Sequence, residues 1–276
     1  MDHSDLSLDS PPRREGDPGP AGAQANGEMI RLDNVYKTLG GKAILRGATL
    51  SISPGETRVI IGRSGEGKSV LIKHICGLFR PDTGEVYVDG ADISRLNERE
   101  LTPIRRKIGL LFQNAALFDS LNVLHNVGFT LFEERRLGES EIREQVLETL
   151  RRVRLGDILD KMPSELSGGM RKRVGLARAI IQNPKILLYD EPTTGLDPVT
   201  SDAINDLIIQ LAEELRVTSV VITHDMVSAF KVATQISMLY EGRFHFTGTP
   251  GETRETGDAI IQQFIQGRSE GPLTNM

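Results

Sequence analysis

The stretch that decides the fold is RVIIGRSGEGKS at residues 58–69. Its first four residues form a short segment rich in β-branched side chains, which predicts a buried strand over residues 58–61. A helix is predicted to follow over about residues 69–76. A strand that leads through a glycine-rich turn into a helix is the local setting of a phosphate-binding loop.

The residue types of this turn suit a polyphosphate that carries Mg²⁺. Gly62, Gly67, Lys68 and Ser69 match the phosphate-loop pattern. Glycines let the backbone curl so that its N–H groups point at phosphate oxygens, and the helix N-terminus adds unsatisfied N–H groups. Lys68 would supply a charge for the β and γ phosphates, while the Ser69 hydroxyl suits Mg²⁺. Glu66 is expected to point out of this cradle, because an acid beside polyphosphate is repelled.

Two carboxylates follow a second buried segment, ILLYDE at residues 186–191. Ligands of open α/β sheets bind at the carboxyl ends of the strands, so Asp190 and Glu191 are expected at the edge that holds the glycine-rich turn. Successive side chains alternate between faces, and the two acids can therefore have different roles. We expect Asp190 to meet Mg²⁺ through water, and Glu191 to be the general base that polarises a water against the γ-phosphate.

A third motif, LSGGM at residues 166–170, precedes a helical pattern. Ser167 is a residue type that caps helix N-termini, and the glycines allow close approach of another backbone. The motif therefore predicts a helix N-terminus able to meet an anion, although an ordinary cap would have the same residues.

Strands and helices alternate on both sides of a mainly helical middle section. Strands are predicted over residues 186–189, 217–223 and 236–240, and helices over residues 198–215 and 226–233. This alternation indicates a parallel sheet with helical crossovers. A helix over 140–153, capped by Ser140, is the clearest element of the middle section. The predicted fold class is α/β: a P-loop NTPase with a mainly parallel core sheet, an N-terminal antiparallel β region and an inserted helical subdomain.

Composition and charge reduce the number of possible functions and cellular locations. The 276 residues carry a net charge of -5, of which residues 1–28 account for -4, so the near-neutral remainder gives no electrostatic footprint for nucleic acid. Residues 1–28 are rich in Pro, Gly and acids, which predicts a disordered acidic tail. The single cysteine, Cys76, excludes a disulfide framework. The start of the chain does not match a secretory signal and no segment predicts a membrane span, so we expect a cytosolic compartment.

The order of the motifs resembles the nucleotide-binding subunits of ABC transporters over residues 28–250. In the family's terms, Walker A lies at 62–69, the Q-loop at Gln113, the signature at 166–170 and Walker B at 186–191. The D-loop would lie at 195–197 and the switch histidine would be His224. The resemblance implies an ATPase with ATP and Mg²⁺ as cofactors and an ABC domain over residues 29–250. The helical insertion would span about 94–165, and a C-terminal helix and tail would span 251–276.

The resemblance also implies a role for individual residues. Tyr36 would stack on adenine, although half-buried strand packing is the commoner use of such a residue. Gln113 would sense Mg²⁺ and the γ-phosphate, Asp197 would communicate across a dimer, and His224 would contact the γ-phosphate as a catalytic residue beside Glu191. The metal-binding residues would be Ser69, Gln113 and Asp190. The full set expected to bind the nucleotide is Tyr36, Gly62, Arg63, Ser64, Gly65, Glu66, Gly67, Lys68, Ser69, Val70, Gln113, Ser167, Gly168, Gly169 and Asp197.

An assembly follows from the same resemblance. Two copies would face head to tail, so that each site uses the phosphate loop of one copy and residues 167–169 of the other. The helical middle section with Gln113 would bind an integral membrane permease, and accessory subunits are an open question. The chain would then lie peripherally on the cytoplasmic face of the inner membrane.

Three features resemble the Mla/Mce-type ATPases that power lipid movement between bacterial membranes. They are Met170 in the signature, the text NAALFDSLNVLHNVGF at 114–129 and the text FIQGRSEGPL at 264–273. The alternatives are the ATPase of a polar-solute importer, a soluble ABC ATPase acting on nucleic acid, and a module that binds ATP without hydrolysing it. One cassette without zinc motifs or sustained heptads disfavours the nucleic-acid class. Intact Lys68, Glu191 and His224 disfavour the non-hydrolysing class.

Three further residues are expected to be structural. His74 and His125 match no motif. Cys76 follows the phosphate loop among apolar residues and is expected to fill the core rather than to do redox chemistry.

Overall fold

The computed structural model describes residues 27–274. The predicted disorder of residues 1–28 therefore lies outside the described residues, apart from the last two positions. The strands are β1 (Ile30–Leu39), β2 (Lys42–Ile52), β3 (Thr57–Ile61), β4 (Thr83–Val88), β5 (Ala91–Asp92), β6 (Ile108–Leu111), β7 (Ile186–Asp190), β8 (Thr218–Ile222), β9 (Gln235–Tyr240) and β10 (Arg243–Gly248). The helices are α1 (Lys68–Ile75), α2 (Glu98–Arg105), α3 (Val123–Val127), α4 (Phe129–Glu134), α5 (Glu139–Arg152), α6 (Gly168–Ile180), α7 (Pro198–Leu215), α8 (Met226–Val232), α9 (Pro250–Glu255) and α10 (Ala259–Gln266).

A six-stranded sheet forms the centre of the fold, in the order β10-β9-β3-β8-β7-β6. The strands from β9 to β6 are parallel, and β10 pairs antiparallel with β9 at one edge. A second sheet, in the order β2-β1-β4-β5, is antiparallel throughout. The predicted α/β class with a mainly parallel core and an N-terminal antiparallel region is confirmed.

The central sheet is buried on both faces, which explains why its strands are continuous apolar runs. In β7, Leu187 and Tyr189 join the core cluster on one face, which packs against α3, α5, α6, α7 and α8. Ile186 and Leu188 join the cluster on the other face, with α1 and the antiparallel sheet. The carboxylates at the end of β7 are therefore held by a strand that is fixed on both sides.

One strand lies inside the section that was expected to be mainly helical. Strand β6 pairs with β7 at the edge of the central sheet, and its four apolar residues are too few for their periodicity to separate strand from helix. Gly109 explains how the strand fits: a Cβ there would lie 2.3 Å from the carbonyl oxygen of Ala179 in α6. The helical elements between β6 and β7 are α3 to α6. The domain limits at 29–250, 94–165 and 251–276 stay predictions.

The predicted cap of α5 is wrong by two residues. The N-cap is Gly138, and its N–H donates to the Glu141 carboxylate at 2.8 Å. Glycine has no side chain to cap the first turn, so the cap consists of the Glu141 carboxylate reaching back to the Gly138 N–H, and α5 begins one residue earlier than the pattern indicated. In the part of the chain that the structure describes, no helix combines the length and the apolar character needed to cross a membrane.

Candidate active site

The carboxyl ends of four parallel strands meet at one edge of the central sheet. Strands β3, β8, β7 and β6 are neighbours in that order. The segments that follow them contain the phosphate loop at residues 62–67, His224, Glu191 and Gln113. The sheet topology therefore brings together motifs that are far apart in sequence, as expected for ligand sites of open α/β sheets.

The phosphate loop requires glycine at two positions for lack of space. A Cβ at Gly62 would lie 2.4 Å from the Leu239 carbonyl oxygen, and one at Gly67 would lie 2.7 Å from Ile44 Cγ2. Gly67 has a φ of 101° and caps α1 without a side-chain hydrogen bond. The first turn of α1 therefore presents its backbone N–H groups to any ligand in the loop.

Lys68 is held inside the loop by the loop itself. Its ammonium donates to the carbonyl oxygens of Gly62 at 2.7 Å and Arg63 at 2.8 Å. Burial lowers the pKa of Lys68, and the neighbouring carboxylates, of which Glu191 has the largest influence, oppose that shift. A buried cation with only carbonyl partners is suited to receive a phosphate.

Ser69 and Asp190 form a pair of oxygen donors. The Ser69 hydroxyl donates to Asp190 Oδ1 at 3.2 Å. Burial raises the pKa of Asp190, and the hydrogen bond from Ser69 opposes that rise. Hydroxyl and carboxylate oxygens are the ligands Mg²⁺ prefers, so this pair fits the ion. In residues 27–274, no three His, Cys, Asp or Glu side chains gather to hold a metal alone, so a bound Mg²⁺ would take its other ligands from nucleotide and water.

Glu191 follows Asp190 at the end of β7, and its side chain faces His224, which follows β8. The Glu191 side chain is 13% exposed and its Oε2 lies 2.8 Å from His224 Nδ1, whereas the His224 side chain is 59% exposed. The Thr194 hydroxyl donates to the same carboxylate oxygen at 3.1 Å. Glu191 has a φ of 51°, a left-handed conformation that non-glycine residues seldom adopt and that is worth relating to function. The pair combines a shielded carboxylate with an accessible imidazole.

These residues line a cleft with a volume of about 350 Å³. The predicted site residues in its lining are Ser64, Gly65, Gly67, Lys68, Ser69, Val70, Gln113, Glu191 and His224. The predicted residues outside its lining are Tyr36, Gly62, Arg63, Glu66, Ser167, Gly168, Gly169, Asp190 and Asp197. Gly62 and Asp190 nevertheless contact lining residues, through Lys68 and Ser69 respectively.

Two side chains of the phosphate loop point away from the cleft. Glu66 accepts a hydrogen bond from the backbone N–H of Glu241 at 2.7 Å, which agrees with the expectation that it avoids the phosphates. Arg63 donates to the carbonyl oxygen of Leu273 near the C-terminus at 2.8 Å. Neither residue belongs to the lining of the cleft.

The signature and D-loop residues form a second group, at the starts of α6 and α7. Ser167 caps α6, as predicted, by accepting from the Met170 N–H at 3.3 Å. Asp197 caps α7 by accepting from the N–H groups of Val199 and Thr200, both at 3.0 Å. A Cβ at Gly169 would lie 2.6 Å from Thr200 Cγ2, so the two helix starts are packed together.

Tyr36 lies on β1 and is 38% exposed. A Cβ at Gly47 would lie 3.0 Å from its hydroxyl oxygen, so the phenol end of the ring rests on the neighbouring strand. The ring is accessible to an aromatic ligand, and its contact with adenine stays a prediction.

Of the three residues expected to be structural, His74 and Cys76 are buried, whereas His125 is exposed. His74 is fully buried with Nδ1 at 2.8 Å from the Val70 carbonyl oxygen, and burial lowers its pKa. Burial raises the pKa of the Cys76 thiol to about 12, which leaves it unreactive. The His125 ring stacks on Phe132 with centroids 4.8 Å apart.

Three residues at or near the site were missed by sequence reasoning, of which Ile222 lines the cleft from the end of β8. Ile44 lines the cleft from β2, and no motif contains it. Lys172 is only 5% exposed and donates to backbone carbonyls of two site residues, Gln113 and Glu191. The signal that could have found Lys172 is its place on the apolar face of α6, where a lysine needs a buried partner.

A profile of the family described as ABC transporter matches residues 45–194, more than half of the chain. The chain belongs to the ABC transporter family. This ABC ATPase is 41% identical over 256 residues to the probable ribonucleotide transport ATP-binding protein mkl of Mycobacterium leprae, covering 92% of the chain and 74% of the relative. It is 38% identical over 248 residues to the intermembrane phospholipid transport system ATP-binding protein MlaF of Haemophilus influenzae, covering 90% of the chain and 94% of the relative.

The chain is also similar to an import ATPase and to a solved ATP-binding cassette. The methionine import ATP-binding protein MetN of Carboxydothermus hydrogenoformans is 44% identical over 218 residues, covering 78% of the chain and 64% of that relative. A dimeric ATP-binding cassette, solved in a post-hydrolysis state with ADP and Pi, is 37% identical with a TM-score of 0.74 and covers 80% of this chain and 99% of that one. The ABC ATPase is thus the ATP-binding and ATP-hydrolysing subunit of a transporter.

Proposed function

We propose that the cleft at the end of the central sheet is the site of ATP hydrolysis, and that hydrolysis drives phospholipid movement between bacterial membranes. The observation that carries the site assignment is the arrangement of Glu191 and His224 beside Lys68 and the Ser69–Asp190 pair in one cleft.

Each side chain has one task in this proposal. Lys68 and the N–H groups at the start of α1 hold the β and γ phosphates. Ser69 and Asp190 hold Mg²⁺, which neutralises phosphate charge when bound. Glu191 accepts a proton from the attacking water at its carboxylate, and His224 orients that carboxylate and contacts the γ-phosphate. Removal of the proton raises the nucleophilicity of the water at the moment of attack.

The site is proposed to be completed by a second copy of the chain. The start of α6 consists of Ser167, Gly168 and Gly169, and it does not line the cleft of its own chain. It is nevertheless a helix N-terminus, which suits an anion. A head-to-tail dimer would place this helix start against the phosphates bound by the partner, and the solved relative is dimeric. The transporter is completed by an integral membrane permease, and the ATPase then lies on the cytoplasmic face of the inner membrane.

Lipid cargo is supported by the near full-length match to a phospholipid transport ATPase, which covers 94% of that relative. Import of a polar solute is the second candidate, because a methionine import ATPase is 44% identical over the shorter stretch of 218 residues. The proposal favours the lipid because the match includes nearly the whole length of both proteins.

Transfer assays on the intact transporter separate the two cargoes. The ATPase is purified with the permease that binds it, reconstituted in vesicles, and given fluorescent phosphatidylglycerol or radiolabelled methionine. The lipid proposal predicts ATP-dependent phospholipid transfer that is lost in the matched complex with Glu191→Gln. Methionine uptake without phospholipid transfer would establish the second candidate instead.

A further inference from the structure

Lys172 is a buried cation that joins two parts of the cleft. It lies in the second turn of α6, five residues after Ser167, and its side chain is 5% exposed. Its ammonium donates to the carbonyl oxygen of Gln113, in a short hydrogen bond, and to that of Glu191 at 3.0 Å. One side chain therefore ties α6 to the loops that follow β6 and β7.

Burial of this ammonium has a cost that the fold alone does not explain. Burial lowers the pKa of Lys172 to about 8, although Glu191 and Asp190 oppose the shift. The hydrogen-bond partners of its ammonium are neutral backbone carbonyl groups. An apolar side chain would fill the same space without the desolvation penalty.

A second cation of α6 holds the same loop further along. Arg178 donates to the carbonyl oxygens of Ala115 at 2.6 Å and Ala116 at 2.8 Å. These two alanines have φ values of 58° and 45°, a left-handed backbone that costs free energy unless it is held. The loop that contains Gln113 is thus hydrogen-bonded to α6 through two side chains, Lys172 and Arg178. Of these two, only Lys172 also donates to Glu191.

We propose that Lys172 is a positioning residue for hydrolysis. Through its hydrogen bonds, the orientation of Glu191 depends on the position of the Gln113 loop and of α6. The proposal rests on the assignment of Glu191 as the general base. Glu191 also has a left-handed backbone, with a φ of 51°. The bond from Lys172 to its carbonyl oxygen fixes the peptide whose neighbouring side chain faces His224. When α6 or the Gln113 loop shifts, Lys172 carries the shift to that peptide.

The test compares substitutions that keep or remove the N–H donors. Both Lys172→Met and Lys172→Gln give an unbranched side chain that is one atom shorter than lysine. The methionine donates no hydrogen bond, whereas the glutamine keeps two N–H donors. The matched control is Arg173→Met, since Arg173 is the next cation on α6 and donates to the Arg154 carbonyl oxygen away from the cleft. Turnover, ATP affinity, melting temperature and hydrogen exchange of residues 112–118 and 191–196 are measured on each full chain.

The positioning role predicts a separation of kcat from ATP binding. In Lys172→Met, kcat should fall about 20-fold or more, since small displacements of catalytic groups cost up to about a hundredfold. ATP affinity should stay within about threefold, and both segments should exchange faster. Lys172→Gln, whose donor is one atom too short, should recover kcat only in part, to about threefold to fivefold below wild type. Arg173→Met should match wild type throughout.

Other outcomes overturn the proposal. Turnover in Lys172→Met above half of the wild-type value would do so, and so would parallel losses of ATP affinity and kcat. If Lys172→Met does not fold, Lys172→Gln decides: a kcat about threefold to fivefold low with unchanged ATP affinity supports positioning, and a wild-type kcat contradicts it. The assignment of Glu191 is tested separately, because Glu191→Gln with high turnover would contradict the proposed function whatever Lys172 does.

Discussion

The cleft at the sheet edge and the starts of α6 and α7 differ in the hydrogen-bond partners and backbone conformation of their residues. In the cleft, Lys68 is buried against two carbonyl oxygens, and Glu191 has a left-handed backbone beside an accessible imidazole. At the helix starts, Ser167 and Asp197 make ordinary capping hydrogen bonds within their own chain. A site built within one chain is thus visible as strain and buried charge. The proposed site between two copies has the geometry of normal helix caps, and only a bound partner would reveal its use.

The largest effect should come from the cleft. Glu191→Gln removes the proton acceptor but keeps the size of the side chain, so turnover should fall by about 10² to 10⁴-fold. ATP affinity should change little, because the amide leaves the phosphate loop intact. Steady-state turnover and a nucleotide titration measure the two effects, with Glu213→Gln on the exposed face of α7 as the matched control. Turnover above a tenth of the wild-type value would contradict the assignment of the base.

Lys68→Ala should come next and should act on binding. The change removes the buried ammonium that would meet the phosphates, so ATP affinity should fall about tenfold or more. Lys161→Ala, an exposed position, is the control. Unchanged affinity and turnover in Lys68→Ala would mean that the glycine-rich loop is an ordinary turn.

A smaller effect is expected at the start of α6, on stability and on turnover. Ser167→Ala removes a cap and should cost about 1 kcal/mol of stability. If Ser167 also contacts the partner's nucleotide, turnover should fall several-fold while ATP binding by the isolated monomer stays unchanged. Thr249→Ala is the matched control, since Thr249 caps α9 by accepting from the Glu252 N–H at 3.2 Å. Equal turnover in the two variants would reduce Ser167 to a cap.

The smallest effect should come from Glu66, which lies on the phosphate loop but faces away. Its carboxylate accepts from the Glu241 N–H, so Glu66→Ser should leave the ATP affinity of the monomer within a few-fold of wild type. A gain of tenfold or more, about 1.4 kcal/mol, would show that the carboxylate repels the bound phosphates. Isothermal titration with ATP gives this affinity directly.

Motif spacing was sufficient to predict the cleft, because Lys68, Asp190 and Glu191 belong to patterns in which chemistry dictates the residue type. Strand β6 was missed because its short apolar segment carries too little periodicity. Helix α6 was predicted, but its close packing against β6 at Gly109 has no signal in the sequence. Lys172 was missed for a related reason. Its place on the apolar face of α6 indicates burial, but its partners are backbone carbonyl groups, which the sequence does not identify.

Two copies of the chain are proposed to share each nucleotide. Sedimentation velocity of Glu191→Gln, with and without ATP, tests this most directly, because this variant should retain the nucleotide long enough to hold the dimer. A shared site predicts that Glu191→Gln is a monomer without ATP and a dimer with ATP. It further predicts that the dimer is lost when Ser167→Arg is added to Glu191→Gln, since the bulky cation blocks the start of α6. The same molecular mass in all of these conditions, whether monomer or dimer, would contradict a site completed by the second copy.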